Sequence, residues 1–435
     1  MYFSNVITFA AMSSSINPPE IQAITQLNLP EYEVSRLPNG IPMYVLRGGS
    51  EPVMKVEVVF RAGGWHETKS GVAEFMAGLM SEGTQKLTSA QLAEYIESRG
   101  ATIQTRGGVD TVRVRLYTLT RYLPELMDVI TDVINSPAFD AGELKVYAEN
   151  KVERLKIDLK KNEVLAYRHL TEAIYGPAHP YGKNMDPEHF LTITSDDLRE
   201  HHQRYIKPEK AMVFVSGSFG AKEIDLLHHT LGQWTPAHSN GISSTPDPEA
   251  ISQIGLLEFD GPQSHQAAIR IGCRLFPQDH PDYAGLYVLN TILGGYFGSR
   301  LMTEIRENLG MTYGIYSSID SFAKDGCFYI STETATDNIT AVIGAIRAEV
   351  HKLRDELIPE EELMMARNYL MGHLMTQLDG PFSSLDFIKS MKIEHLEAAQ
   401  FAHLIGTIQS LTPENLKALA NRYLDLDQWA TIVVR

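Results

Sequence analysis

The stretch from Gly71 to Thr84 carries the clearest hydrophobic pattern in the chain. Its apolar residues recur at steps of three and four, the spacing that lines one face of an α-helix. These residues are Val72, Phe75, Met76, Leu79 and Met80. Gly83 follows them, and glycine is typical just past a helix end because it adopts left-handed backbone angles without steric cost. The pattern therefore predicts one amphipathic helix that stops before Gly83.

Other stretches alternate apolar and polar residues, which is typical of strands with one apolar face. Between residues 54 and 60, the polar Lys55 and Glu57 alternate with valine and phenylalanine. The segment 111–117 alternates in the same way, with valine and leucine between arginines. We expect it to form a hairpin with 101–105.

The C-terminal part of the chain repeats the N-terminal part. Arg204 and Tyr205 correspond to Arg422 and Tyr423 at a constant offset of 218 residues. A repeat this long indicates duplicated domains and not a solenoid of short units. Each copy combines antiparallel hairpins with separate helices. We therefore expect an α+β fold of two homologous domains, each an antiparallel-rich sheet with helices packed on one side.

We expect four segments along the chain. Residues 1–30 form an N-terminal arm, and residues 31–234 form the first domain. A segment rich in Pro, Ser and Asp, residues 235–252, is typical of an interdomain linker. Residues 253–435 form the second domain.

Composition argues against two classes of partner. The chain has 38 basic and 54 acidic residues, a net charge of −16, which disfavours nucleic acid and anionic membrane surfaces. No run approaches the roughly 18 apolar residues of a membrane span. Two cysteines, Cys273 and Cys327, are too few for a disulfide framework and favour a reducing compartment. We expect a cytoplasmic protein. The periplasm is less favoured, because no Lys or Arg precedes the short apolar piece at the N-terminus.

A methionine-rich stretch lies in the second copy. Its members recur at helical spacing and are Met364, Met365, Met371 and Met375. Because methionine is apolar and flexible, we interpret the stretch as core filling and not as a binding surface.

The Gly71–Thr84 stretch resembles the active-site helix of the M16 family, which includes insulinase, pitrilysin and mitochondrial processing peptidase. Catalytic members of that family carry an inverted zinc motif, His-x-x-Glu-His, on this helix. The frame around the motif is matched here by Gly71, Val72, Ala73, Gly83 and Thr84. The resemblance implies the two-domain α+β fold of that family, the type found in LuxS-like and processing-peptidase-like metallohydrolases.

The three positions of the zinc motif carry other residues. Glu74 and Gly78 stand where the two histidines would be, and Ala77 stands where the glutamate would be. The motif needs two imidazoles to hold zinc and a glutamate to activate the zinc-bound water. Glycine has no side chain that could bind zinc, and alanine cannot accept a proton. We expect no zinc or other cofactor in this chain and interpret Glu74 as a charge that complements the helix dipole. The family's third zinc ligand would fall near Glu153 or Arg154.

The stretch from Gly294 to Ser318 resembles a segment of the family's C-terminal domain. Arg306 and Tyr313 match the arginine and tyrosine of that segment, with the same seven-residue spacing. The resemblance implies that they reach the zinc site of an opposing domain, hold substrate and stabilise the tetrahedral intermediate. A guanidinium and a phenol are both hydrogen-bond donors suited to that charge. A structural interpretation stays open, because arginine favours a helix C-terminus and tyrosine packs well in strands.

The resemblance implies a half-size subunit that is inactive alone. We expect it to pair with a sister subunit that carries His-x-x-Glu-His and zinc, forming a heterodimeric zinc endopeptidase similar to the processing peptidases. Its substrates would be peptides or unfolded polypeptides. Two alternatives stay open: a non-catalytic scaffold, and a peptide-binding module that uses a sheet edge such as 101–105. The isolated chain could also form a homodimer.

Overall fold

The structure is a computed structural model that describes residues 24, 26–235, 249–263 and 265–435. Most of the predicted N-terminal arm and the centre of the predicted linker lie outside these residues. We use "first half" for residues 26–235 and "second half" for residues 249–435.

The first half holds one six-stranded sheet. Its strands are β1 (Glu33–Arg36), β2 (Pro42–Arg47), β3 (Val53–Phe60), β4 (Thr102–Gly107), β5 (Val112–Leu119) and β6 (Ala211–Gly217). They lie in the order β1-β2-β6-β3-β5-β4, and every pair is antiparallel except β2 with β6. The predicted hairpin between 101–105 and 111–117 is confirmed by the pairing of β4 with β5.

Eight α-helices accompany this sheet in the described part of the first half. They are α1 (Val72–Met80), α2 (Ser89–Glu97), α3 (Leu123–Asn135), α4 (Ala141–Asp158), α5 (Asn162–Tyr175), α6 (Pro187–Leu191), α7 (Ser195–Tyr205) and α8 (Ala221–Thr230). α1 confirms the helix predicted from the apolar spacing. α7 begins with a reciprocal capping box between Thr194 and Asp197, which satisfies backbone N–H groups at the helix start.

The second half holds a five-stranded sheet. Its strands are β7 (Gly255–Phe259), β8 (Gln266–Leu275), β9 (Ile315–Ser321), β10 (Gly326–Ala335) and β11 (Ala430–Val434). The order is β7-β11-β8-β10-β9, and only β11 with β7 is parallel. This order is that of the first sheet without its outermost strand β1.

The α-helices of the second half are α9 (Tyr283–Asn290), α10 (Ile339–Asp355), α11 (Glu360–Gln377), α12 (Gly380–Ile393), α13 (Ala398–Ser410) and α14 (Pro413–Tyr423). Two π-helical segments, Thr291–Gly295 and Met302–Asn308, lie between α9 and β9.

The predicted duplication is visible in single elements. α5 and α12 are offset by 218 residues at both ends, and so are α7 and α14. α14 also repeats the capping box of α7, with Thr412 and Asn415 in place of Thr194 and Asp197. The two halves are therefore copies of one α+β unit.

The two halves exchange one helix each. α5 packs on β8 and β11 of the second sheet, while α12 packs on β6 and β2 of the first. Ala166 and Leu170 of α5 lie in one buried cluster with Ile432 of β11. Leu385 of α12 lies in another with Phe214 of β6. Each sheet thus carries its own helices on one face and a helix from the other half on the opposite face.

A buried ion-pair network holds α12 on the first sheet. Lys389 of α12 lies 2.7 Å from one oxygen of Glu57 on β3, and Arg115 of β5 lies 3.1 Å from the other. Asp386 of α12 pairs with Lys389 at 2.6 Å and with Lys55 at 2.8 Å. Burial lowers the pKa of Lys55. Burial opposes ionisation of Asp386 as well, but Lys389 and Lys55 outweigh it and hold the pKa of Asp386 below its usual value. The polar face predicted for β3 is thus covered by charged partners from a distant helix.

Within the described residues, no helix is both long enough and apolar enough to cross a membrane.

Candidate functional site

α1 is fixed by its N-terminal turn. Gly71 precedes the helix with φ of 86°, a left-handed conformation that glycine adopts without strain. Glu67 then accepts hydrogen bonds from the backbone N–H groups of Gly71 (3.0 Å) and Ala73 (3.3 Å). Burial raises the pKa of Glu67, although these two bonds oppose the rise. The sequence prediction missed Glu67. Its signal is a carboxylate just ahead of a helix start, where N–H groups lack partners.

The zinc-motif position at Gly78 is filled by another side chain. A Cβ placed on Gly78 would lie 2.2 Å from the phenol oxygen of Tyr147 on α4. No histidine fits at this position while Tyr147 stays in place. Tyr147 is held by an edge-on contact with Phe75, ring centres 5.1 Å apart. Ala77 is fully buried in the core.

Glu74, at the first position of the motif, is paired within the chain. Its carboxylate forms a salt bridge with the ammonium group of Lys151 on α4. Burial alone would lower the pKa of Lys151, but Glu74 outweighs burial and raises it. The ammonium group also lies 5.5 Å from the ring centre of Tyr147. Glu74 therefore has a structural partner, beyond the helix-dipole role expected from sequence.

The third zinc ligand was expected near Glu153 or Arg154, and the structure does not support this expectation. Glu153 and Arg154 are exposed, and Glu153 pairs with Lys156 on its own helix at 2.9 Å. α4 instead turns Tyr147 and Lys151 toward α1. The described residues contain no group of three or more His, Cys, Asp or Glu side chains that could hold a metal ion. The residues around α1 do not fit zinc.

A cleft of about 340 Å³ opens beside α1. Its walls include Glu67 and Glu74, and Trp65 and Lys183 from neighbouring loops. Gly107, at the end of β4, closes one side. A Cβ at Gly107 would lie 2.6 Å from the carbonyl oxygen of Ala73, so only glycine allows this close approach. β4 is an outer strand of the sheet, so the cleft meets an unpaired strand edge.

In the second half, the residues flanking Arg306 in the motif serve the fold. Arg300 forms two 2.8 Å hydrogen bonds with the carboxylate of Glu362 on α11. Ser299 and Leu301 are buried. Arg300 thus ties the start of the π-helical segment Met302–Asn308 to α11.

Arg306 and Tyr313 are placed differently. The guanidinium of Arg306 lies 4.8 Å from the ring centre of Phe297, itself 63% exposed. Among the described residues, no carboxylate lies within salt-bridge distance of Arg306. Tyr313 is 97% exposed. Its backbone is anchored by Thr312, whose hydroxyl donates to the carbonyl oxygen of Glu333 at 2.7 Å. The alternative interpretation of Tyr313 was a packing role as a half-buried residue in a strand. Its exposure contradicts that interpretation.

The structure does not bring Arg306 and Tyr313 to α1. Neither side chain makes a hydrogen bond or ion pair with Glu74 or any other described residue of α1. The two donors and the zinc-motif positions therefore do not form one site within this chain.

The methionine-rich stretch was interpreted wrongly. Met371 is buried, but Met364, Met365 and Met375 of α11 are each about half exposed. One side of the helix faces the core, including Leu363, Leu370 and Leu374, and the other side is open to solvent. Helical spacing alone does not say which face is covered.

Comparisons with known proteins agree with this architecture. Residues 45–183 match the sequence profile described as "Insulinase (Peptidase family M16)", and residues 192–370 match "Peptidase M16 inactive domain". The chain is similar to the uncharacterized zinc protease YmxG of Bacillus subtilis, 22% identical over 89% of this chain and 95% of that protein. It is also similar to the non-peptidase homolog YmxG of Helicobacter pylori, 23% identical over 74% of each. The crystal structure of a peptidase M16 inactive domain from Pseudomonas fluorescens superimposes with a TM-score of 0.83 at 22% identity, covering 93% of this chain and 98% of that one.

Proposed function

We propose a function from one premise: this chain belongs to peptidase family M16 and lacks the zinc motif of the family's catalytic members. It acts as the non-zinc subunit of a heterodimeric zinc endopeptidase. The other subunit is a sister chain of similar size that carries His-x-x-Glu-His and the zinc. This chain supplies Arg306 and Tyr313 to the shared site, and the substrates are peptides or unfolded polypeptides.

The observation that carries the proposal is the exposure of Tyr313. A tyrosine that is 97% exposed contributes little to packing, yet its backbone is held in place by Thr312. Arg306 likewise lacks an acidic partner among the described residues, whereas Arg300 of the same motif has one. Both donors are left available for a group outside the chain.

The chemistry assigned to these donors is simple. When a water molecule attacks the carbonyl carbon of a peptide bond, negative charge develops on the carbonyl oxygen. The guanidinium of Arg306 and the hydroxyl of Tyr313 donate hydrogen bonds to that oxygen and to the neighbouring substrate backbone. The zinc bound by the sister chain would supply the activated water.

A second candidate is a non-catalytic role, as a scaffold or a peptide-binding module. Two observations favour this role, because both are incompatible with zinc binding at α1. Tyr147 fills the space at Gly78, and Glu74 is paired with Lys151. One similar protein is named a non-peptidase homolog. In this case the isolated chain would act alone or as a homodimer.

We also place the protein in the cytoplasm. Cys273 and Cys327 are free thiols, and burial raises the pKa of Cys273 to about 12, which keeps it unreactive. Fractionation of native cells checks this assignment, and recovery from the periplasm would contradict it.

Affinity purification of the tagged chain from its native source tests the proposed function. We expect a sister chain with His-x-x-Glu-His to co-purify, with one zinc per pair, and the pair to cleave an unfolded polypeptide that neither chain cleaves alone. Recovery of a homodimer without zinc or peptidase activity, from cells that express such a sister, would favour the non-catalytic role.

A further inference from the structure

We propose that the arginine-lined cleft beside β4 binds peptide segments with acidic side chains at alternate positions. This "arginine cleft" has a volume of about 260 Å³. It is lined by Glu57, Gln104, Arg106, Gly107, Gly108, Thr111, Arg113 and Arg115. The inference rests on the proposed function, because it names the class of peptide that the chain receives.

The strand register concentrates positive charge on one face. Arg106 of β4 lies directly opposite Arg113 of β5, and Gln104 lies opposite Arg115. Val112 and Val114 occupy the other face of β5 and are buried in the core. Like charges at directly opposite positions of a strand pair are destabilising. The fold therefore tolerates an unfavourable pair here, which an anionic ligand would relieve.

The chain does not neutralise this charge. Arg115 takes one oxygen of Glu57 at 3.1 Å, and Lys389 takes the other at 2.7 Å. Arg113 donates to the hydroxyl of Thr111, at 3.2 Å. Within the described residues, neither Arg106 nor Arg113 has a carboxylate within salt-bridge distance.

The acidic residue that lines the cleft is already paired. Glu57 contacts Lys389 and Arg115, and Asp386 beside it is paired with Lys55 and Lys389. Arg106 and Arg113 remain in excess of them. The chain as a whole has a net charge of −16, so a basic cleft is a local exception to its overall charge. Such a cleft attracts acidic ligands.

The position of the cleft favours a peptide in extended conformation. β4 is the outer strand, so its far edge can accept another strand. Side chains of an added strand alternate between the two faces, so every second residue would face the arginines. Gly107 and Gly108 line both this cleft and the one beside α1. A strand along β4 would therefore pass from the arginines toward α1.

The test uses the full-length chain and three fluorescently labelled peptides of equal length. One has glutamate at every second position, one has the same number of glutamates in a single run, and one has glutamine in their place. Binding is measured by fluorescence anisotropy at low ionic strength. We expect the alternating peptide to bind about tenfold more tightly than the glutamine peptide, the size of one charge-assisted contact. The peptide with clustered glutamates should fall between them.

Two double variants separate the cleft from general electrostatics. Arg106→Gln with Arg113→Gln should abolish the preference for the alternating peptide. Arg121→Gln with Arg204→Gln removes the same charge from exposed helix surfaces and should leave the preference intact. Arg106→Glu with Arg113→Glu should reverse the preference toward a peptide with alternating lysines. All these arginines are partly or fully exposed, so thermal unfolding should confirm that the variants are folded.

The outcomes distinguish this inference from the proposed function. If the glutamine peptide binds and the alternating peptide binds no more tightly, the inference fails while peptide binding stands. If no peptide binds the isolated chain, the inference fails, while the proposed function still depends on the co-purified pair. Equal binding of the alternating and clustered peptides, or equally strong competition by tripolyphosphate, would overturn the strand geometry and indicate a general anion site.

Discussion

The zinc-motif positions on α1 and the segment that carries Arg306 and Tyr313 differ in whether their polar groups have partners inside the chain. At α1, the zinc-motif positions are occupied from inside the molecule: Lys151 pairs with Glu74, and Tyr147 fills the space at Gly78. In the second segment, Tyr313 is almost fully exposed, and Arg306 has no acidic partner among the described residues. A chain that had only lost function would have no need to keep the second set available. The difference supports a role in which the missing part comes from another molecule.

The largest effect is expected at Arg306. In the assembled pair, Arg306→Gln should lower kcat/KM by about 10²–10³-fold, the usual loss for one donor to a developing oxyanion. Arg300→Gln is the matched control from the same motif. Because Arg300 binds Glu362, its loss should reduce stability by about 1–3 kcal/mol and leave kcat/KM of the folded pair unchanged. Equal kinetic losses in both variants would remove the distinction between the two arginines.

The filled site predicts the next effect. Gly78→Ala should destabilise the chain by about 1–3 kcal/mol, because its Cβ would overlap the phenol of Tyr147. Gly344→Ala, in α10, meets open space and should instead stabilise the chain by about 0.5–1 kcal/mol through helix propensity. Urea unfolding of both variants gives the comparison. A stabilising Gly78→Ala would show that Tyr147 does not fill the position.

Restoring the zinc motif sharpens the same point. Glu74→His, Ala77→Glu and Gly78→His together should bind zinc poorly, since Tyr147 blocks the second histidine. Adding Tyr147→Ala should raise zinc affinity by about 10–100-fold, although the supporting groups of a native site stay absent. Competition with a fluorescent chelator measures both. Tight zinc binding by the triple variant alone would contradict the account of α1.

The smallest effect is expected at Lys151. Its salt bridge with Glu74 joins two side chains that are each about one-third exposed, so solvent screens the pair. Lys151→Met should cost no more than about 1 kcal/mol in the free energy of unfolding. A loss of several kcal/mol would mean that this salt bridge is a major contribution to the stability of the chain.

The local sequence pattern was sufficient to predict helices and strands, but not to predict which of them pack together. The apolar spacing of 72–80 predicts α1, and the offset between Tyr205 and Tyr423 predicts the duplication. The exchange of α5 and α12 has no local signal, because it depends on contacts between elements that are far apart in the sequence. For the same reason the sequence shows that Lys55 and Glu57 share a face, but not that Lys389 covers it.

The candidate site follows the same division. The sequence identifies which residues replace the zinc motif and which match the arginine and tyrosine. It does not indicate that Tyr147 fills the vacated space, because an aromatic residue in a helix is usually core packing. Nor does spacing tell whether Tyr313 is buried or exposed. Both properties depend on how α4 and the loop before β9 sit in the folded chain.

The most direct test of the central claim is the turnover of the assembled pair with Tyr313→Phe. This change removes one hydroxyl from a side chain that is almost fully exposed, so stability and assembly should not change. We predict that kcat/KM falls by about 10²–10³-fold while the two chains still co-elute, and that Tyr122→Phe in the first half has no effect. If Tyr313→Phe cleaves peptides at the wild-type rate, Tyr313 does not act in the shared site. The non-catalytic role would then be the better account of this chain.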